Sequence, residues 1–312
     1  MQTLRGAVDD DALGPTLMHE HVFVVNPEII ENVPTDWDEE SALTDAARRL
    51  DELYAAGIRT IVDLTVIGLG RSIARLLRVP ITSPLNIVVA TGIYAFHDLP
   101  SYFKFRKSEV LVDHFVREIE IGIDDTGVRA GILKCATDEE GVTPGVEKIL
   151  RTVARAHVRT GVPISTHTHA ATRRGLDQLR IFAEEGVDPT RVVIGHSGDT
   201  TDVDYLLAVA DSGAYLGMDR FGIDTYLGFD ERVATVARLC ALGRADQIVL
   251  SHDASCYIDY FPGGRPPKAL PNWHYLHITR DVLPALRSHG VTEEQITQML
   301  VVNPRRVLGG VS

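Results

Sequence analysis

The stretch RVVIGHS (191–197) is one of eight short apolar runs that are separated by longer amphipathic segments, and this alternation indicates the fold. The eight runs are PTLMHEH (15–21), RTIVDLT (59–65), NIVVATG (86–92), AGILKCA (130–136), VPISTHT (162–168), RVVIGHS (191–197), AYLGMDR (214–220) and QIVLSHD (247–253). Continuous apolar runs of this length are typical of strands that are buried on both faces of a parallel sheet.

The segments between the runs carry helical patterns with recognisable ends. In 143–161, Thr143 is a possible N-cap, Pro144 stands at the first helical position and Gly161 follows the last turn. Further helices are predicted at 41–57, 70–79, 108–122, 174–186, 202–212, 230–242, 275–289 and 292–300. Strands that alternate with helices in this way predict an α/β fold, namely a single-domain (β/α)8 TIM barrel over residues 1–312.

Composition limits the classes of partner. The chain has 31 Lys and Arg against 43 Asp and Glu, a net charge of −12. Such a protein repels nucleic acid and is not attracted to anionic lipid, so we expect neither as a partner. The three cysteines stand far apart without a CxxC pair, and we see no secretory signal, so we expect a cytoplasmic protein with reduced thiols.

Residues of metal-binding type lie at the carboxyl ends of several runs. They are His19, His21, Lys134, His167, His196 and Asp253. A parallel barrel brings the ends of its strands to one face, so these scattered positions are predicted to converge on one pocket. His19 and His21 form a His-x-His at a strand end, where residues i and i+2 point the same way.

Each of these residues also has an ordinary structural explanation. A His-x-His is common by chance, His196 could be a hydrogen-bonded core histidine, and Asp253 could be a turn residue. Lys134 interrupts an apolar run, and it could pair with a barrel carboxylate such as Asp63. One shared explanation is simpler: imidazole and carboxylate ligands suit zinc and similar ions, and their number exceeds what one tetrahedral ion needs.

Six motifs in this order carry a resemblance to a known family over nearly the whole chain. They are LMHEH (17–21), GILKCATD (131–138), ISTHTHA (164–170), VIGHSGDT (193–200), GMDRFG (217–222) and LSHDA (250–254). The chain resembles the phosphotriesterase family of the amidohydrolase superfamily, and within it the phosphotriesterase-like lactonases. The resemblance implies a homodimer with two divalent ions per chain, zinc first, with cobalt, iron or manganese as alternatives.

The resemblance also implies a role for each ligand. His19, His21 and Asp253 would hold the more buried ion, and His167 and His196 the more exposed one. Lys134, carboxylated by carbon dioxide, would bridge both ions together with a hydroxide that attacks the substrate. His169 and His252 would then be either neighbours of the ligands or ordinary pocket residues.

The substrate is predicted from the pocket wall. By resemblance, Tyr94 and Arg220 contact the substrate, and Asp253 takes the proton from the attacking hydroxide. Tyr94 could instead be a core aromatic, and Arg220 could pair with Asp219 or with a loop carboxylate. In the irregular stretch 254–272, alternate residues of CYIDYF (256–261) are bulky or apolar, so Cys256, Ile258 and Tyr260 suit an acyl-chain groove or a contact with a second subunit.

Three functions therefore remain open at this point. The first is a lactonase acting on N-acyl-homoserine lactones, the substrates of quorum quenching, or on γ- and δ-lactones, with weaker phosphotriesterase activity. The second is an organophosphate triesterase. The third is a metal-stabilised binding protein without turnover.

Overall fold

Eight parallel strands form the barrel that the alternating pattern predicts. The structure is a computed structural model that describes residues 1–309, so the last three residues of the predicted domain lie outside the described residues. The barrel strands are β1 (Thr16–Glu20), β2 (Thr60–Asp63), β3 (Asn86–Gly92), β4 (Ile132–Thr137), β5 (Ile164–Thr168), β6 (Val192–Ile194), β7 (Tyr215–Met218) and β8 (Ile248–Leu250). Each predicted run contains one strand, and each strand pairs in parallel with the next, which confirms the predicted TIM barrel.

The barrel closes where β8 meets β1. The amide of Asp253 donates to the carbonyl of His19 at 3.0 Å, and the amide of His19 donates to Ser251 Oγ at 2.9 Å. The first and last strand ends are therefore joined at the level of two predicted ligands.

Helices cover the outside of the barrel. They are α1 (Pro27–Asn32), α2 (Glu39–Ala55), α3 (Ile73–Leu77), α4 (Ser101–Lys104), α5 (Ser108–Glu120), α6 (Pro144–Thr160), α7 (Arg174–Glu184), α8 (Val203–Asp211), α9 (Phe229–Ala241), α10 (Leu283–Ser288), α11 (Glu293–Thr297) and α12 (Asn303–Leu308). The ends of α6 follow the predicted chemistry: Thr143 Oγ1 accepts from the Val146 amide at 3.2 Å, and Gly161 adopts φ 72°. A backbone in this left-handed region favours glycine.

The structure differs from the prediction at short or irregular elements. The predicted 292–300 helix continues past Leu300 through a π-helical turn, Gln298–Val302, into α12, which carries Pro304 at its second position. A second π-helical turn, Ile278–Val282, precedes α10. Two-residue strands at Phe23–Val24 and Tyr257–Ile258 pair in parallel and tie the loop after β8 to the end of β1. Such elements are too short to produce a periodic pattern.

Alternation along β4 determines what faces the barrel interior. Leu133 and Cys135 pack with the helices, whereas Ile132 packs with the interior cluster that includes Val62, Val88 and Val249. Lys134 lies two residues after Ile132, so its side chain also points inward, above this apolar layer.

Among the described residues, no helix is both long and apolar enough to cross a membrane.

Candidate metal centre

The six predicted ligand residues converge at the carboxyl end of the barrel. Asp253 Oδ1 lies 3.1 Å from His21 Nε2 and 3.5 Å from His19 Nε2, and Asp253 Oδ2 lies 3.8 Å from His196 Nε2. His196 Nε2 is 2.8 Å from His167 Nδ1. The ligand atoms of His19, His196 and Asp253 all lie within 4.8 Å of one another, so these three side chains could hold one ion.

Hydrogen bonds outside this cluster orient the imidazoles. Asp219 contacts both His19 Nδ1, at 2.7 Å, and His196 Nδ1, at 2.9 Å, so both rings present Nε2 to the centre. His21 Nδ1 contacts Thr65 Oγ1 at 2.9 Å, and that hydroxyl donates to Asp63 at 2.5 Å. Partners of this kind fix the ring orientation and tautomer of metal-binding histidines.

Sequence reasoning missed these outer partners. It considered Asp219 only as a partner of Arg220, and Asp63 only as a partner of Lys134. The available signal was position, since Asp219 directly follows β7 and Asp63 ends β2, on the same barrel face as the ligands.

Lys134 is completely buried, and it does not pair with Asp63. Its Nζ lies 3.1 Å from His19 Nε2 and donates to the Thr166 carbonyl at 3.1 Å. Burial lowers the pKa of Lys134 to about 8. A fraction of the side chain is therefore a neutral amine near neutral pH, and the neutral amine is the form that can react with carbon dioxide.

The protonation states of the other side chains suit metal ligands. Burial lowers the pKa of His167 to about 4 and that of His196 well below its ordinary value, so both rings are neutral at pH 7. Burial alone would raise the pKa of Asp253, but the surrounding imidazoles and the Arg220 guanidinium hold it well below the usual range. Neutral imidazole and ionised carboxylate are the forms that bind a divalent cation.

A cavity of about 340 Å³ opens above the cluster. Its wall is mostly apolar and aromatic, with Tyr94, Phe96, Ile223, Tyr226, Ile258, Tyr260, Phe261, Leu270 and Trp273 among the lining residues. Four predicted substrate-contacting residues, Tyr94, Arg220, Ile258 and Tyr260, belong to this lining. The Tyr94 hydroxyl lies 3.4 Å from His167 Nδ1, and burial raises the pKa of Tyr94 well above its ordinary value, so the hydroxyl keeps its proton.

Cys256 does not belong to this wall, which corrects the predicted alternation along the loop. Its thiol is buried and lies 3.3 Å from the Tyr275 hydroxyl. The strand pairing covers only Tyr257 and Ile258, so Cys256 lies in a bend where strand alternation does not apply.

Arg220 lines the pocket but is held by two carboxylates. Its Nε lies 3.1 Å from Asp253 Oδ2 and its Nη1 lies 2.9 Å from Asp199 Oδ2, while its guanidinium lies 4.7 Å from the centre of the Tyr226 ring. The loop-carboxylate alternative is therefore the one that the contacts match, whereas Asp219 is bound to the histidines. Arg220 orients Asp253 in addition to bordering the pocket.

His169 and His252, the two histidines considered as neighbours of the ligands, bind groups outside the ligand cluster. His169 Nδ1 lies 2.8 Å from Thr172 Oγ1. His252 is buried, with Nδ1 2.6 Å from Glu20 and Nε2 accepting from the Ile278 amide at 2.8 Å. Both rings are thus engaged by the polypeptide around the pocket.

The fold and the site together define a TIM barrel with a candidate metal centre at the carboxyl ends of its strands. The model of the phosphotriesterase family matches residues 1–308. The chain therefore belongs to the phosphotriesterase family and is a hydrolase of that family, as its sequence motifs predicted.

Three proteins are similar to this chain over nearly its whole length. A phosphotriesterase homology protein of Mycobacterium tuberculosis, strain CDC 1551, is 60% identical over 98% of this chain and 97% of its own length. An aryldialkylphosphatase of Saccharolobus solfataricus is 39% identical over 97% of each chain. A solved structure from the molecular engineering of organophosphate hydrolysis activity from a weak promiscuous lactonase template has a TM-score of 0.91 and 36% identity, and the match covers 99% of each chain.

Proposed function

We propose that this protein is a binuclear-metal lactonase that opens N-acyl-homoserine lactones or γ- and δ-lactones, with weaker phosphotriesterase activity. The observation that carries this proposal is the two-part pocket, in which a buried polar cluster lies beneath an apolar, aromatic wall. A lactone ring with an acyl chain has the same division: its carbonyl needs polar contacts, and its chain needs an apolar surface.

The donor set of the cluster fits two divalent ions, zinc first, with cobalt, iron or manganese as alternatives. His19, His21 and Asp253 would hold one ion, and His167 and His196 the other. Lys134 would bridge them as a carbamate, after its neutral nitrogen adds to the carbon of carbon dioxide and releases a proton to solvent. Bound ions would supply an activated water-derived nucleophile and polarise the substrate carbonyl.

The side chains of the protein would perform the remaining steps. Asp253 would accept the proton that the nucleophile loses and return it to the leaving oxygen of the opened ring. Arg220, fixed by Asp199, would keep the Asp253 carboxylate oriented and border the ring. The protonated Tyr94 hydroxyl would donate a hydrogen bond to a substrate oxygen beside His167.

A substrate panel on protein of known metal content tests this proposal. The panel covers N-acyl-homoserine lactones of graded chain length, simple γ- and δ-lactones and one aryl phosphotriester. We expect two ions per chain and a kcat/KM at least about tenfold higher for the best lactone, which corresponds to about 1.4 kcal/mol of transition-state binding.

The second candidate, a phosphotriesterase proper, is favoured by the aryldialkylphosphatase relative. It would replace the lactonase proposal if the aryl phosphotriester were the faster substrate. The third candidate, a silent binding protein, would be supported by fewer than two ions per chain together with no hydrolysis of any panel member.

We also propose that the protein is a cytoplasmic homodimer whose partners are small lactones or esters, with neither nucleic acid nor membrane among them. The acidic net charge of −12 supports the last point. Light scattering coupled to size exclusion tests the dimer: the chain mass is 34.2 kDa, and a species of that mass would refute it.

A further inference from the structure

Glu20, which stands between His19 and His21 in the LMHEH motif, is a completely buried carboxylate that points away from the metal cluster. His19 and His21 face the cluster, and alternation along β1 turns Glu20 to the opposite side, against the end of β8. Within the described part of the chain, no Lys or Arg forms an ion pair with it, and its basic neighbour is His252.

Four donors surround the Glu20 carboxylate, and all of them belong to residues within two positions of Asp253. Oε1 accepts from Ser251 Oγ at 3.0 Å, from the His252 amide at 3.0 Å and from His252 Nδ1 at 2.6 Å. Oε2 accepts from the Ala254 amide at 2.9 Å. A buried carboxylate with this many donors is satisfied without a cation.

The residue in the middle of these donors has an unusual backbone. Asp253 adopts φ 54°, in the left-handed region that a residue with a Cβ rarely enters. Its own polar backbone groups are fixed as well: its amide donates to the His19 carbonyl, and its carbonyl accepts from Trp273 Nε1 at 2.9 Å. The surrounding contacts therefore impose this conformation.

His252 connects the Glu20 carboxylate to the segment that leads into α10. Its Nε2 accepts the Ile278 amide hydrogen at 2.8 Å, so the ring carries its proton on Nδ1 and donates it to Glu20. The Asp253 loop, the end of β1 and the start of the segment that leads into α10 are thus joined through one carboxylate.

We propose that Glu20 is a positioning residue: by holding Ser251, His252 and Ala254, it fixes the left-handed backbone from which Asp253 reaches His19 and His21. This inference rests on the proposed metal site, but not on the identity of the substrate. A purely structural role would predict lost stability with unchanged metal affinity, and this difference makes the inference testable.

The first experiment measures Zn²⁺ affinity, kcat, KM and the midpoint of thermal unfolding for Glu20→Gln. The side-chain amide of the variant can replace one carboxylate oxygen with its own oxygen. Its NH₂ group must then face another N–H donor, either the Ala254 amide or the donors of His252. We expect Zn²⁺ affinity to fall by about 10–100-fold, the range seen when an outer partner of a metal ligand is lost. We also expect kcat to fall while KM changes little, since the pocket wall is not altered.

A matched pair of variants covers the case in which Glu20→Gln does not fold. His252→Asn keeps a donor at the place of Nδ1, whereas His252→Gln keeps a group near Nε2 and loses the donor to Glu20. We expect the Asn variant to bind Zn²⁺ more tightly than the Gln variant. Equal affinities in the two variants would overturn the inference.

A double-mutant cycle with Asp253→Asn gives a third readout. If Glu20 acts through Asp253, Glu20→Gln should cost little further Zn²⁺ affinity in the Asp253→Asn background, and fully additive losses would contradict this route. Zn²⁺ alone is the probe in these experiments. A wild-type chain that binds Zn²⁺ but hydrolyses no lactone would therefore refute the lactonase proposal. The Zn²⁺ affinities of the variants would still test the role of Glu20.

Discussion

The floor and the wall of the pocket are built differently. The floor, the six candidate ligands, comes from strand ends, and five of the six are buried while Asp253 is partly buried. Its polar atoms have partners such as Asp219 and Thr65. The upper wall comes from loops, where Tyr226 is 58% and Tyr260 is 61% exposed. Rigid strand ends thus hold the chemistry, and more mobile loop residues are left to select the substrate.

The largest effect is expected for Lys134→Ala, which removes a candidate ligand from the floor of the pocket. Without the bridging side chain, we expect fewer than two ions per chain and a loss of kcat/KM greater than the 10–100-fold that an outer partner typically costs. Elemental analysis and steady-state kinetics measure both. The control is Lys148→Ala, a lysine that donates to carbonyls at the end of α4, such as that of Phe103 at 2.8 Å. Two bound metals and full activity in Lys134→Ala would contradict the carbamate bridge.

A second prediction concerns the pH dependence of the floor in metal-free protein. The pKa of His167 is about 4 in the folded state and 6.5 in its ordinary state. Above pH 6.5 the ring is neutral in both states, so it has no effect. As pH falls below 6.5 the unfolded chain takes up the proton first, so the folded state should lose about 2 kcal/mol by pH 5 through this one ring.

Urea unfolding of the wild type and of His167→Asn at pH 7 and pH 5 measures this effect. The wild type should lose about 2 kcal/mol more than the variant between the two pH values, since the variant lacks the titrating group. Equal losses in both proteins would show that His167 is not held neutral by burial.

A third prediction lies at the boundary between floor and wall. Tyr94→Phe removes a hydroxyl that lies 3.4 Å from His167 Nδ1 and leaves the ring in place. We expect kcat to fall by about tenfold, the equivalent of one hydrogen bond of about 1.4 kcal/mol, with two metals retained. Tyr54→Phe, on α2, is the control, and an unchanged kcat in Tyr94→Phe would place Tyr94 in the wall only.

The smallest effect is expected in the wall itself. Tyr260→Ala removes a partly exposed ring, so we expect KM for long-chain lactones to rise by about fivefold and kcat to stay constant. Short-chain lactones should be affected less, and Tyr102→Ala, at a comparably exposed position on α4, is the control. A fall in kcat that is independent of chain length would show that the wall also contributes to the chemistry.

The difference between strand ends and loops also explains which parts of the site were predictable from the sequence. His19, Lys134 and Asp253 were found from sequence because each closes an apolar run, and a parallel barrel gathers such positions. Asp219 and Glu20 lie at the same strand ends but were missed as outer partners, since an aspartate or glutamate beside a strand has no residue pattern that names its partner. Cys256 was placed wrongly because loop backbone does not keep strand alternation.

Sequence patterns were enough to predict the barrel, the family and the six residues that meet at its floor, because burial places apolar runs in strands and a parallel barrel brings the strand ends together. The three-dimensional structure was needed to show that Asp219 orients two imidazoles, that Arg220 lies between Asp199 and Asp253, and that Glu20 accepts hydrogen bonds from the residues around Asp253. These contacts join residues up to 234 positions apart in the chain. Their geometry depends on how loops close and side chains pack, which local pattern does not encode.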